Sequence, residues 1–450
     1  MQSFLAIGSL LATAVFTHAA PSSLFPRAIL KPTEDPFYQP PTDLGSLQPG
    51  EIIRSRTTPG PIGAAQQYTS INIQTSYQLL YRTTDALGNA SAAAVTIIIP
   101  HNPSYDKVLA YQTAYDSSDP NCSPSYTLQQ KSNETTYDPL FMAAALEKGW
   151  IVSTSDYEGL EAQYVAGLVA GYATLDSVRA TLASGSVTGV SSNATYALWG
   201  YSGGALASEW ALELQPSYAP ELKFAGAALG GLTPNVTTVL QHVNKSIFAY
   251  QAFAGINGIA KAYPNVSDYV AQTLIPEKAA EYHAINFQCT NDTNAQNRLD
   301  FQDISTYFKG GFAALNDPIP QSVITYGASM GFRATPQAPL YVYKAIGDEI
   351  SPVADTDALV SKYCAAGATI QYARNAVGEH VAEAILGSGG AFGFLMDRFE
   401  GKAVTPGCVT ENVAVSSLDV SSFEGFGTEL LAVLAVLLLQ PLGPRSLQGI

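Results

Sequence analysis

Apolar residues fall along this chain in short, nearly unbroken runs, separated by stretches with helical periodicity. That is the pattern of strands covered by helices on both faces. Two β-rich runs, Ser76–Thr84 and Ala92–Ile99, flank the turn Asp85-Ala86-Leu87-Gly88-Asn89 and predict an antiparallel hairpin near a sheet edge. Buried strands are predicted at Lys107–Tyr115 and Trp150–Ser155, the second entered from a helix over Pro139–Lys148. A helix over Ala173–Leu182 leads to the apolar run Ala194–Trp199, and a strand over Lys223–Leu229 follows further on. The rhythm then stops. From Pro234 to Pro320 only helical segments are legible. Strands resume at Pro339–Ala345 and Thr369–Ala373, with a helix over Asp355–Cys364 between them. The expected class is therefore α/β, a mostly parallel and doubly covered sheet. Its core would be split, 21–233 and 321–450, around a helical cap over 234–320.

The chain is organised around Gly200-Tyr201-Ser202-Gly203-Gly204, which joins the apolar run Ala194–Trp199 to the helix-forming run Ala205–Leu214. A strand that turns sharply into a helix at G-x-S-x-G is the nucleophile elbow of α/β-hydrolases. The serine must sit in a strained backbone conformation, and the residues two places away must lack bulk for strand and helix to pass closely. The helix N-terminus below favours negative charge at the reacting centre.

A serine nucleophile needs a base. Past the leader the chain offers His101, His242, His283 and His380. His101 precedes the serine, and His242 and His283 lie in the helical insert. Only His380 fits the order Ser…Asp/Glu…His, in a loop after the last strand. The acid belongs just beyond an intervening strand, where Gly347-Asp348-Glu349-Ile350 follows the run ending at Ala345. Asp348 is the candidate and Glu349 its near rival, whereas Asp355 and Asp357 read as charges at a helix start. The backbone N–H groups of Gly203 and of Asp116, in the loop after Lys107–Tyr115, are the expected oxyanion donors. No HGGG-type sequence stands in that loop.

Composition narrows the setting. The 450 residues carry a net charge of −15 without clustered Lys or Arg, which argues against nucleic acid and anionic membranes as partners. Residues 1–20 read as a signal peptide, with an apolar core over Phe4–Phe16 and a small-x-small site at Thr17-His18-Ala19. Four cysteines, Cys122, Cys289, Cys364 and Cys408, suit an oxidising compartment, allow three pairings and lack C-x-x-C spacing, so no metal site is expected. Sequons at Asn89, Asn133, Asn193, Asn235, Asn244, Asn265 and Asn291 predict a glycosylated surface. The apolar run Leu430–Leu439 is too short to span a bilayer and predicts a helix packed on the domain, with a GPI signal as the alternative.

Several stretches together resemble the fungal secretory lipases: GYSGG at 200–204, YQTAYDSSD at 111–119, WIVSTSDYEG at 150–159, YVYKAIGDEISPVADTD at 341–357 and GEHVAE at 378–383. The similarity runs from about residue 40 to 440. It implies a triad of Ser202, Asp348 and His380, oxyanion N–H groups from Asp116 and Gly203, and a helical lid after the strand beyond the elbow. It also implies disulfides Cys122–Cys289 and Cys364–Cys408. The expectation is a secreted, extracellular, monomeric lipase that needs no cofactor and cleaves acylglycerol esters at an oil–water interface through an acyl-enzyme. The alternatives are an esterase of short or soluble esters, a peptidase on the same scaffold, and an inactive hydrolase fold used for binding.

Overall fold

A computed structural model describes residues 29–63, 71–129, 138–289 and 298–414. The leader, the sequons at Asn133 and Asn291, and the run Leu430–Leu439 lie outside the described residues.

Among the described residues, ten strands form one sheet in the order β1-β2-β3-β5-β4-β6-β7-β8-β9-β10. The first three are β1 (Ile52–Thr57), β2 (Thr75–Thr84) and β3 (Ala90–Ile99), followed in the chain by β4 (Ser104–Gln112) and β5 (Trp150–Ser155). They are antiparallel from β1 through to the β3–β5 pair. The hairpin closes with Thr84 opposite Ala90, around the Asp85–Asn89 turn. From β5 onward every pair is parallel, through β6 (Thr195–Tyr201), β7 (Ala227–Gly230), β8 (Leu340–Ala345), β9 (Ile370–Asn375) and β10 (Cys408–Val413). Strand β5 is buried at all six positions and β8 likewise, as expected of strands covered on both sides.

The helices Gly167–Ala183 and Gly203–Tyr218 cover one face and contribute to the larger apolar core. Helices Asp138–Glu147 and Ser388–Phe399 cover the other, where Trp150 and Trp199 pack against Phe392. The helix Gly167–Ala183 begins six residues before the expected Ala173. Its first turns, Gly167–Gly171, are apolar and buried, and the two glycines lie against Trp210 and Leu214 of the neighbouring helix.

Two strands escaped the sequence reading, for different reasons. In β1 the residues Ile52-Ile53-Arg54-Ser55-Arg56-Thr57 do not alternate, and no position is fully buried. Its arginines are used locally, Arg56 pairing with Asp35 at 2.7 Å and lying over the Phe37 ring. Strand β10 is exposed at five of its six positions and carries no apolar pattern. It exists because it pairs with β9 and because Cys364 is bonded to Cys408.

Between β7 and β8 the described chain is helical: Val236–Val243, Ala249–Ala262, Pro264–Thr273, Ala279–His283 and Pro318–Val323. A π turn carries this structure on to Ala328, beyond the expected end at Pro320. Asn235 caps the first helix, its side-chain oxygen accepting from the N–H groups of Thr237 and Thr238. Phe253, Tyr282, Tyr307 and Phe308 interlock inside the insert, Phe253 and Tyr307 edge to face at 4.8 Å. The insert is tied to the sheet side by the Cys122–Cys289 disulfide and by Lys261, whose ammonium donates to the carbonyls of Ser118 and Glu161.

Candidate active site

Strand β6 lies between β4 and β7 and ends at Tyr201. Ser202 follows at φ 52° and ψ −119°, and the helix Gly203–Tyr218 starts at the next residue. The glycines make this turn possible. A Cβ on Gly200 would fall 2.1 Å from the Gly204 carbonyl oxygen, and one on Gly204 would fall 1.9 Å from that of Gln112 in β4. Hydrogen bonds hold the strained serine at both ends: its N–H donates to Gly230 O and its carbonyl accepts from Leu206 N, each at 2.9 Å.

The loops after β8 and β9 bring two further side chains to this point. The buried His380 opens the helix His380–Leu386, and its Nε2 stands 2.8 Å from Ser202 Oγ. Its Nδ1 stands 2.6 Å from Asp348 Oδ2. The other Asp348 oxygen accepts from the backbone N–H groups of Ile350, at 3.0 Å, and Ser351, at 2.7 Å. Burial alone would raise the Asp348 carboxyl. The hydrogen bond and charge of His380, then those of Lys344, outweigh it and hold the group well below the usual carboxylate range. An ionised carboxylate only accepts, so the imidazole proton sits on Nδ1 and leaves Nε2 to accept from the Ser202 hydroxyl.

Several contacts hold His380 in place that the sequence did not disclose. The His380 N–H donates to Glu349 Oε2 at 2.5 Å, and the Tyr201 hydroxyl donates to the His380 carbonyl. Glu349, the rival for the acid, thus meets the histidine backbone rather than its ring. Asp355 accepts from the Thr238 hydroxyl of the insert, and Asp357 accepts from the Tyr372 hydroxyl. The other described imidazoles are occupied elsewhere: His101 with Asn72, His242 with the Thr238 carbonyl and His283 with Asn257. Lys344 is the one of these contacts with a mark in the sequence, a charged residue inside the apolar strand Leu340–Ala345.

Asp116 stands in the loop after β4 at φ 42°. Its carboxyl packs against Gly203, where a Cβ would fall 1.8 Å from Oδ1. Burial, with the charge of Asp138 second, pushes that carboxyl up to about 7. Gly203 N–H is the first of its helix, one of the four that a helix ladder leaves without an internal partner. Ser202 opens on a cavity of about 450 Å³ whose walls include Tyr164, Leu206, Val236, Leu240, Ile256 and Ile259. Four of these six come from the insert, and the lining is mostly apolar, with Gln241, Asn244, Lys245 and Gln251 among its polar members. Among the described residues, no group of three or more His, Cys, Asp or Glu side chains is placed to hold a metal ion, and no helix is long and apolar enough to cross a membrane.

A mostly parallel sheet covered by helices, with serine, histidine and carboxylate converging at the ends of β6, β9 and β8, defines the α/β-hydrolase fold. The comparisons narrow this class. The secretory lipase family model matches residues 125–407. Lipase A of Arthroderma benhamiae is 39% identical over 428 residues, covering 93% of this chain and 90% of that protein. A trichothecene C-3 esterase of Fusarium sporotrichioides is 37% identical, covering 85% of this chain and 88% of its own length. The X-ray structure of Candida antarctica lipase A superposes with a TM-score of 0.81 at 28% identity, covering 91% of this chain and 96% of that one. The chain belongs to the secretory lipase family, and with it to the carboxylic ester hydrolases.

Proposed function

We propose that Ser202, His380 and Asp348 act as the catalytic triad of a secreted lipase whose substrates are acylglycerols. Ser202 Oγ attacks the ester carbonyl while its proton passes to His380 Nε2, and Asp348 stabilises the imidazolium that forms. The backbone N–H groups of Asp116 and Gly203 receive the negative oxygen. Collapse breaks the acyl–oxygen bond, and the departing alkoxide takes the proton from Nε2. Water then repeats both steps on the acyl-enzyme, releasing the fatty acid and restoring Ser202.

Residues 234–320 serve as a cap over the site, with the acyl chain beneath its helices. Burial there contributes about 0.8 kcal/mol per methylene, which favours long chains over short ones. The observation that carries this reading is the hydrogen-bonded series Ser202–His380–Asp348 at the mouth of an apolar cavity. The leader and the name of the family support release from the cell, and the substrate would be met at an oil–water interface.

Ser202→Ala is the decisive variant. Turnover of an activated nitrophenyl ester is expected to fall by about 10⁴-fold or more while the protein stays folded. Retained turnover would place the machinery elsewhere. A panel of esters of rising chain length, offered as monomers and as emulsions, tests the substrate class, and activity ending at butyrate would reject the lipase reading. The second reading is an esterase of a soluble ester, favoured by the name of the Fusarium relative.

A further inference from the structure

Lys344 occupies a strand position where an apolar residue is expected. It lies in β8 between Tyr343 and Ala345 and is fully buried, as is the Asp348 carboxylate four residues on. Its Nζ stands 2.7 Å from Asp348 Oδ2 and also donates to the Leu232 carbonyl at 2.8 Å, just past the end of β7. Taking an ammonium wholly out of water carries a desolvation penalty that its partners must offset, and a methionine would fill similar space without that penalty. Structure alone gives no reason for a charge here.

The oxygen it meets gives one. Asp348 Oδ2 accepts from both Lys344 Nζ and His380 Nδ1, while Oδ1 accepts from two backbone N–H groups. Each carboxylate oxygen therefore has two donors, and the group cannot turn without breaking hydrogen bonds. Resting on the assignment of Ser202, His380 and Asp348 as the triad, we propose that Lys344 is a positioning residue of that triad. Its ammonium fixes the Asp348 carboxylate and limits the negative charge that reaches His380, and so sets the acid edge of ester turnover.

When His380 takes the Ser202 proton, two cations share one carboxylate oxygen. The imidazolium is then a readier proton donor to the departing alkoxide. The other titratable groups facing it are acids. Glu349 accepts from the His380 N–H, and the buried Glu383 lies one turn along the histidine helix. Asp355 approaches from the helix Val353–Ala365, and the phenols of Tyr201 and Tyr343 come from β6 and β8. Lys344 is the cation among them.

The test is the pH profile of kcat/KM on a soluble nitrophenyl ester for the wild type, Lys344→Gln and Lys344→Arg, with working sites counted by a fluorophosphonate label. Losing the ammonium is expected to raise the acid edge by about one pH unit and to lower kcat about tenfold, with KM unchanged. Arg keeps the charge and is expected to keep the wild-type edge. Superimposable edges in Gln and wild type, whatever the loss of rate, would reduce Lys344 to a structural residue and overturn the proposal. Should the Gln variant not fold, the Arg variant decides alone, since an edge that moves with the charge intact also overturns it. Persistent turnover in Ser202→Ala defeats the triad assignment itself. Collapse there, with unmoved edges at position 344, defeats only the inference.

Discussion

Ser202 is held at φ 52° by its neighbours rather than by its own side chain, and the cost of that hold falls on the glycines. A methyl on Gly204 would meet the Gln112 carbonyl oxygen at 1.9 Å, and a backbone atom in a central strand has nowhere to go. Gly204→Ala is therefore expected to lower stability by about 3 kcal/mol or more in urea unfolding. Gly255→Ala serves as its control: a Cβ there meets only Val165 Cγ2, at 3.6 Å, and the position lies inside the helix Ala249–Ala262, so its stability should equal or exceed that of the wild type. Equal stability of the two variants would mean that the elbow is not sterically locked. Residues of this kind are legible in a sequence because the constraint is local: strand, serine and helix are contiguous. Asp348 and His380 are legible for a second reason, since chain order and position after a strand leave few candidates. The contacts of Glu349 and Tyr201 are not legible in that way. Each meets a partner brought near only by the folded sheet, Tyr201 reaching the His380 carbonyl across 179 positions of chain.

At the scale of elements, the edge strand β10 does more than its composition suggests. The carbonyls of Val413 and Ala414 accept from Ala376, at 2.8 Å, and Val377, at 3.3 Å, in the segment that leads to His380. Five of its six residues are exposed, so little burial retains it. The Cys364–Cys408 bond closes a loop of 44 positions and, in the chain-entropy picture, is worth about 4 kcal/mol. Replacing both cysteines by serine is expected to lower Tm and to speed amide exchange at Ala376 and Val377. Unchanged exchange there would show that β9 holds the histidine loop unaided. Sequence reading works where a strand is buried on both faces, as in β5 and β8, since continuous hydrophobicity is then required. It fails for β1 and β10, whose existence depends on a neighbour and on a covalent bond. Helix ends moved for a related reason: the helix Gly203–Tyr218 runs past the expected Leu214 and carries Pro216 near its end.

Over the whole molecule the acidic character is both external and internal. The net charge is −15, and several carboxyls are buried. Burial pushes Asp156 up to about 7 against the opposing hydrogen bonds from Ser125. Asp116 is also raised to about 7, by burial and then by the charge of Asp138. Burial, with the charge of Asp348 adding to it, takes Glu383 to about 8 in spite of its Asn375 hydrogen bond. Glu209 is raised as well, by burial and by Glu213 one turn along the same helix. In the unfolded chain these groups would titrate near 4. Between that value and about 8 the folded state therefore holds more protons than the unfolded one. The stability they contribute is complete below about pH 4 and is lost as pH rises through 7 and 8. Asp348 runs the other way, contributing its full stability above about pH 4 and losing it as pH falls from there through its depressed folded value. Repulsion among surface carboxylates also grows with pH. The terms agree in sign across the neutral range, so Tm is expected to be higher at pH 5 than at pH 8. Glu383→Gln, which cannot ionise, should flatten part of that slope. A Tm that climbs from pH 5 to pH 8 would show that the buried carboxyls ionise without penalty, and a slope unaltered by Glu383→Gln would remove that residue from the account.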